Sequence, residues 1–201
     1  MKKLSLLFTK DGLQWHISKG KTVLEEAFHF VTEETSPHLV EEKLDDVLKF
    51  DDYKEIEVIS ALNHFSLTPD TFAEHELGYK LISYNAPVDE ANEELMLSVN
   101  KKFAVQFYYT FPKHFYQKIK AKKLPTKFNF SGEKFLNALT VKNHKEIHIN
   151  LYHHQVEFFA FENKKVILYN NLDADSEVDF LYFIMFSLSK INFGTAETHF
   201  H

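Results

Sequence analysis

A strand-turn-strand-turn-strand-helix pattern occurs twice in this chain and restricts its fold more than any other feature. In the first copy, "LSLLF" and "LQWHI" flank Asp11-Gly12, a pair favoured in two-residue hairpin turns. On that turn Phe8 is expected opposite Trp15 and Leu6 opposite Ile17, with Ser5, Thr9, Gln14 and Ser18 on the other surface. A third strand over about 22–30 follows Lys19-Gly20-Lys21, and "SPHLVEEKLDDVLKF" then reads as a helix. Ser36 is placed to cap it, Pro37 suits its first turn, and Leu39, Leu44, Val47 and Leu48 form its apolar stripe.

In the second copy, strands over 145–152, 155–161 and 165–170 are joined by a tight turn and by Glu162-Asn163-Lys164. A helix follows from about 175, with Ser176 and Asp179 at capping-box spacing. It is apolar on nearly every side, which predicts burial. "THFH" reads as the start of one more strand. Between the copies, "EIEVISAL" and "HFSLTP" read as strands with a helix beginning near Pro69. "YKLISYN", "ELMLSVN" and "KFAVQFYYTF" read as further strands, and "PVDEANEE" as an exposed loop. "PKHFYQKIKAK" reads as a helix opening on Pro112, and "SGEKFLNAL" as a short helix capped by Ser131. The expected fold class is α/β with mixed sheets, built from two βββα units that repeat in topology rather than in residues. The boundary between the two lobes is expected near 140, giving 1–140 and 141–201.

Composition removes several functions. All 23 basic residues are Lys, against 29 acidic ones, for a net charge of -6. Without the planar fork of Arg, an acidic chain is poorly equipped for phosphates and base edges, so no nucleic acid is expected as a partner. The cluster Lys118, Lys120, Lys122 and Lys123 reads as a solvated helix end. The absence of Cys excludes disulfides, thiolate nucleophiles and Cys-ligated zinc. "LSLLF" is too short for a signal-peptide core, and "FLYFIMF" falls short of the roughly 20 residues a membrane span requires. A cytoplasmic protein without membrane insertion is expected.

Four stretches together, "LSLLFTKDGLQWHI", "NHFSLTPDTF", "KEIHINLYHHQVEFFAFENKKVILYNNL" and "EVDFLYFIMFSL", resemble the DUF3822 family of Bacteroidetes proteins. The resemblance spans nearly the whole chain and is most specific in "SLTPDTF" and in the hairpin followed by "DFLYFIMF". It implies a duplicated ribonuclease-H-like, actin-like ATPase fold, akin to pilus-assembly and cell-division actin homologues, and it implies no catalytic residue. It also implies a second lobe that is incomplete in this chain.

An actin-like ATPase holds nucleotide phosphates at the first hairpin of each lobe, where glycines let backbone N–H groups approach and an Asp helps hold hydrated metal. Here Asp11 and Gly12 are adjacent rather than one residue apart, and the second hairpin, "NLYHHQV", has no glycine. With 5 glycines in all, an adenosine loop is missing as well. Asp11 and Gly12 are therefore the only candidates for a nucleotide site, and a plain hairpin turn explains them better. No cofactor is expected, and a pseudo-ATPase is.

His144, Glu146 and His148 recur at every second residue and share one strand face with Asn150, the donor set of many zinc and iron sites. Phe159 and Phe161 are expected opposite them, which leaves no third ligand, so a solvated sheet face is the preferred reading and no metal is expected. His153 and His154 fall in the turn, where His tolerates positive φ. Asp173, Asp175 and Asp179 are explained as charges at a helix N-terminus. Ser66, Ser98 and Ser131 have no nucleophile-elbow context.

Phe107, Tyr108, Tyr109 and Phe111, within a chain holding 21 Phe, are expected to place some rings at a surface or a partner. The resulting expectation is a non-catalytic scaffold or interaction module that binds a protein partner or itself. A divergent nucleotide-binding protein is the alternative, and a metal-dependent enzyme on the His144, Glu146, His148 face a further one.

Overall fold

The computed structural model describes residues 2–30, 38–50 and 52–201. β1 (Lys2–Thr9), β2 (Gly12–Lys19) and β3 (Thr22–Phe30) form an antiparallel meander. β4 (Tyr53–Ser60) pairs parallel to β1, and β8 (Thr126–Phe130) parallel to β4, so the first sheet has the order β3-β2-β1-β4-β8. Alternation puts Leu4, Leu6, Phe8, Leu13 and Ile17 on one face, all buried. Two helices cover that face: α1 (His38–Leu48) through Leu44, Val47 and Leu48, and α3 (Lys113–Lys120) through Ile119. Lys118 of α3 reaches both Glu41 and Asp45 of α1 at 2.8 Å, so it is paired rather than a free solvated charge.

The second sheet repeats this order. β9 (Lys145–Leu151), β10 (Gln155–Glu162) and β11 (Lys165–Asp173) form a meander, and β12 (Thr198–Phe200) pairs parallel to β9, giving β11-β10-β9-β12. Asn163 and Lys164, at φ 51° and 66°, make the tight turn between β10 and β11. α5 (Glu177–Lys190) packs Ile184 and Leu188 on Ile147, Phe158 and Ala160, and Ser176 accepts the Asp179 N–H as its cap. A third sheet, β5 (Phe65–Pro69), β7 (Val105–Pro112) and β6 (Glu93–Asn100) in that order, is fully antiparallel. Phe111 of β7 joins the core of the first sheet, while Phe107 and Tyr109 join Phe159, Phe161 and Tyr169 of the second.

Several expectations change. The first hairpin pairs Leu6 with Trp15, Phe8 with Leu13 and Thr9 with Gly12, so its turn is Lys10-Asp11 rather than Asp11-Gly12. The two-residue shift leaves every side chain on its expected face. Its cause is local: the Asp11 N–H donates to Thr9 Oγ1 at 3.2 Å, and Gly12, at φ 143°, resumes the strand in a conformation that L residues avoid. "YKLISYN" is a helix, α2 (Gly78–Ser83), preceded by a 3-10 turn over His75–Leu77. Gly78 lets this helix lie on β6 and β7, where a Cβ would stand 2.7 Å from Leu95 Cδ2. Pro69 ends β5 instead of starting a helix. β8 is a strand that its short "TKFNF" pattern did not announce.

Ser131 is the first residue of α4 (Ser131–Ala138) rather than its cap; Phe130 occupies that place, and the hydroxyl of Ser131 points elsewhere. All four β7 rings are buried, because β7 is the central strand of its sheet. The apolar helix α5 is not buried all round: Val178, Leu181, Tyr182, Met185 and Phe186 are exposed. The expected capping by Ser36 and Pro37 lies outside the described residues.

Gly132, at the start of α4, makes a close approach that the fold requires. A Cβ there would lie 2.7 Å from Tyr169 Cζ and 2.8 Å from its hydroxyl, on a ring held by buried neighbours. Gly132→Ala is expected to cost about 1–3 kcal/mol by overpacking. Urea denaturation checks it, with Gly20→Ala as the comparison, where strain comes from φ 64° alone and nothing lies within 4 Å.

Candidate functional site

The tips of the two first hairpins meet. The backbone N–H of His154 donates to Asp11 Oδ2 at 3.0 Å, and His154 Nδ1 lies 3.3 Å from Oδ1. Lys10 Nζ is 3.2 Å from Asp173 and 3.6 Å from Asp175. Asn63 donates to the same Asp173 oxygen at 3.2 Å. Beneath the tips, Gln155 Nε2 donates to the Ala61 carbonyl at 2.6 Å and to Asn171 Oδ1 at 2.8 Å, and Asn171 also donates to Ala61 at 3.2 Å. Asp173 and Asp175 thus answer Lys10; of the three aspartates only Asp179 lies in the first turn of α5, where its N–H donates to the capping Ser176 and its carboxylate accepts from the Ser176 hydroxyl. His153 and His154 sit in the turn as expected, but neither has positive φ.

Beside the tips a groove of about 900 Å³ runs between β5 and β11, lined by Lys10, Asn63, His64, Asn85, Glu93 and Asn170 among others. His64 Nδ1 lies 2.9 Å from Glu93 Oε1 on its wall.

Below the tips the inward face of β10 carries Glu157, fully buried among phenylalanines. Four donors satisfy it. Tyr152 and Asn150 reach Oε1 at 2.7 and 2.8 Å, and Tyr169 and Ser131 reach Oε2 at 2.8 and 3.0 Å. Burial, with the carboxylate beside them, drives the Tyr152 and Tyr169 phenols upward, so both stay protonated donors. Of the serines considered as nucleophiles, Ser131 serves Glu157, and Ser98 Oγ accepts the Phe130 N–H at 2.9 Å. Sequence reasoning missed Glu157. Its signal was a carboxylate at an inward position of "QVEFFAF", in phase with Phe159 and Phe161.

The face of His144, Glu146 and His148 is not solvated: Glu146 is fully buried and His148 nearly so. The second sheet lies against the aromatic core on this side, and β12 covers its edge. Phe161 pairs with Glu146 and Phe159 with His148, as expected, but β12 brings His199 beside Glu146 and His201 beside His148. The strand on the other side of β9 thus adds imidazoles to this face, from more than 50 residues along the chain. His148 Nε2 lies 2.8 Å from Glu146 Oε2, and the Lys142 N–H donates to Oε1 at 2.9 Å. His144 Nε2 stands 2.8 Å from Oε1 but off the line of a hydrogen bond. Burial raises the Glu146 carboxyl; the His148 and Lys142 hydrogen bonds and the histidine charges outweigh it and hold the group below its ordinary range.

Two sheets of matching order, each headed by a hairpin that faces the other, define the actin-like ATPase fold. A Bacteroides thetaiotaomicron protein with an actin-like ATPase fold and unknown function is 20% identical at a TM-score of 0.83, covering 100% of this chain and 80% of its own. The PilM-PilN type IV pilus biogenesis complex is 12% identical at a TM-score of 0.52, covering 93% of this chain and 66% of its own. At these identities the likeness concerns the fold alone. A family model described as a protein of unknown function (DUF3822) matches residues 1–201, and the chain belongs to that family. No curated protein matches it. Among the described residues no helix is long and apolar enough to cross a membrane.

The contacts at the tips differ in weight. Asp11 is nearly buried and accepts a backbone N–H, whereas Lys10 and Asp175 form a partly exposed pair. Asp11→Ala is expected to cost about 1–3 kcal/mol, because it strands the His154 N–H, and Lys10→Ala about 0–1 kcal/mol. Chemical denaturation of the two variants side by side checks the ranking.

Proposed function

We propose that the protein is a non-catalytic interaction module, a pseudo-ATPase that keeps the shape of an actin-like fold without its phosphate chemistry. The observation that carries this reading is the direct hydrogen bonding of Asp11 to His154 between the hairpin tips. In the working fold the phosphates and their metal occupy that space, and backbone N–H groups there remain free for them. Here the His154 N–H is spent on Asp11, and the second tip carries two imidazoles in place of glycine. The groove beside the tips is within the volume range of small-molecule sites and is the one feature that favours a nucleotide instead.

Two further observations favour protein association. The exposed face of α5 presents Val178, Leu181, Tyr182, Met185 and Phe186 side by side at helical spacing, the kind of patch that marks an interaction surface. The PilM neighbour is itself described in a complex with another protein.

ATP with Mg²⁺ is expected to leave the melting temperature unchanged, since a ligand at a hundred times its dissociation constant adds about 2.7 kcal/mol and would be visible. A saturable upward shift specific to ATP overturns the pseudo-ATPase reading. Phe186→Asp is expected to reduce self-association in light scattering with the circular dichroism spectrum intact. A wild-type chain that stays monomeric at high concentration removes a second copy as the occupant of α5.

A further inference from the structure

We propose that Glu146, His148 and His201 form a binding site for a divalent transition-metal cation, with His144 and His199 at its rim. This goes beyond the interaction-module reading and does not depend on it, because the site lies at the β9–β12 edge and not between the hairpin tips.

The backbone prearranges the donors. β12 pairs parallel to β9 with His199 beside Glu146, and the pairing runs on past its last residue: the His201 N–H donates to Ile147 at 2.9 Å and the Ile149 N–H donates to the His201 carbonyl at 3.0 Å. Side chains at alternate positions of both strands then project to one face. One ligand atom from each of Glu146, His148 and His201 lies within 4.8 Å of the others. Two imidazoles and one carboxylate are the ligand set of open zinc and non-haem iron sites.

Hydrogen bonding within the cluster does not account for all of it. His148 and the Lys142 amide answer the Glu146 carboxylate. The His201 ring, however, stacks on His148 at 4.6 Å and 18°, and makes no side-chain hydrogen bond among the described residues. The buried Nε2 of His144 approaches the same carboxylate closely and is not aligned to donate to it. The His144 ring lies against His199 at 4.2 Å, tilted by 48°. Four imidazoles crowded round one buried carboxylate, three of them without a hydrogen bond to it, suit a shared cation better than a closed network. Glu146 supplies the buried charge, and His201 is the exposed donor of the three. The ion would tie β12 to β9, which backbone pairing holds over only a few residues.

The probe is Zn²⁺ alone, titrated calorimetrically into the chain of residues 1–201 stripped with chelator and dialysed, with Co²⁺ absorption as a second readout. One saturable equivalent is expected, together with a rise in melting temperature. His201→Ala, which leaves the core untouched, should weaken binding about tenfold or more, and His16→Ala and His153→Ala should leave it unchanged. His148→Ala should also weaken binding; if that variant fails to fold, His201→Ala decides. Absence of saturable binding overturns the site. So does affinity unchanged in His201→Ala, or affinity lost in His153→Ala, which would place the ion at the other donor cluster, Asp11, His153 and His154.

Discussion

A buried carboxylate organises the middle of this molecule. Glu157 sits on the inward face of β10 between the polar tip at Gln155 and the rings of Phe159 and Phe161, without exposure to water. Such a charge costs several kcal/mol unless hydrogen bonds replace its hydration. Its four donors come from α4, from the end of β9 and the residue after it, and from β11. Each of these elements must hold its place for the others to be stable there. Ser131 belongs to the segment that follows the first sheet, so the same carboxylate fixes the second sheet against the first. The absence of a Cβ at Gly132 follows, since α4 must come close to the Tyr169 ring for Ser131 and Tyr169 to share Glu157 Oε2.

That arrangement bears on the cleft above it. Gln155 and Asn171, on the inward faces of β10 and β11, both donate to the Ala61 carbonyl at the end of β4, and Asp11 then closes the top. Individually such bonds contribute about 0.5–1.5 kcal/mol, but they are made together by two sheets that the buried network already holds. A ligand entering between the tips must break them, and its affinity falls by whatever the opening costs. The scarcity of glycine at the tips and the bonds between them both support the proposed pseudo-ATPase reading.

Much of this was legible in the sequence, and what was not has identifiable causes. Hairpins announce themselves through alternation and turn residues, so both meanders and their order were readable, and so was the cap at Ser176. The register of the first hairpin was not, because Asp11-Gly12 suits a turn while the Thr9 hydroxyl, accepting the Asp11 N–H, and the positive φ of Gly12 accompany the actual one. "YKLISYN" has the alternation of a strand, yet Gly78 and the surface of β6 and β7 favour a helix. The β9 histidines were assigned to one face correctly, but their surroundings were not. Phe159, Phe161 and β12 come from elsewhere in the chain, and burial is a property of the assembled sheet. Glu157 was overlooked for the same reason: its phase with Phe159 and Phe161 marks an inward position, but its four donors come from three other segments of the chain.

The two sheets share a strand order but differ in what lies over them. On the first, α1 is flanked by α3, and the Lys118 pairs with Glu41 and Asp45 lock the two helices into one layer over Leu4, Leu6 and Phe8. On the second, α5 occupies the place of α1 over Ile147, Phe158 and Ala160, and among the described residues no helix lies beside it. A helix sharing a layer turns one side to the sheet and another to its neighbour, so it needs apolar residues on more than one face. The composition of α5 is that of such a helix. Leu181, Tyr182, Met185 and Phe186 of this helix are exposed. Burying them removes apolar surface from water at about 25 cal/mol per Å², a gain open to any chain that can lie in that layer and one that the first sheet has already taken through α3.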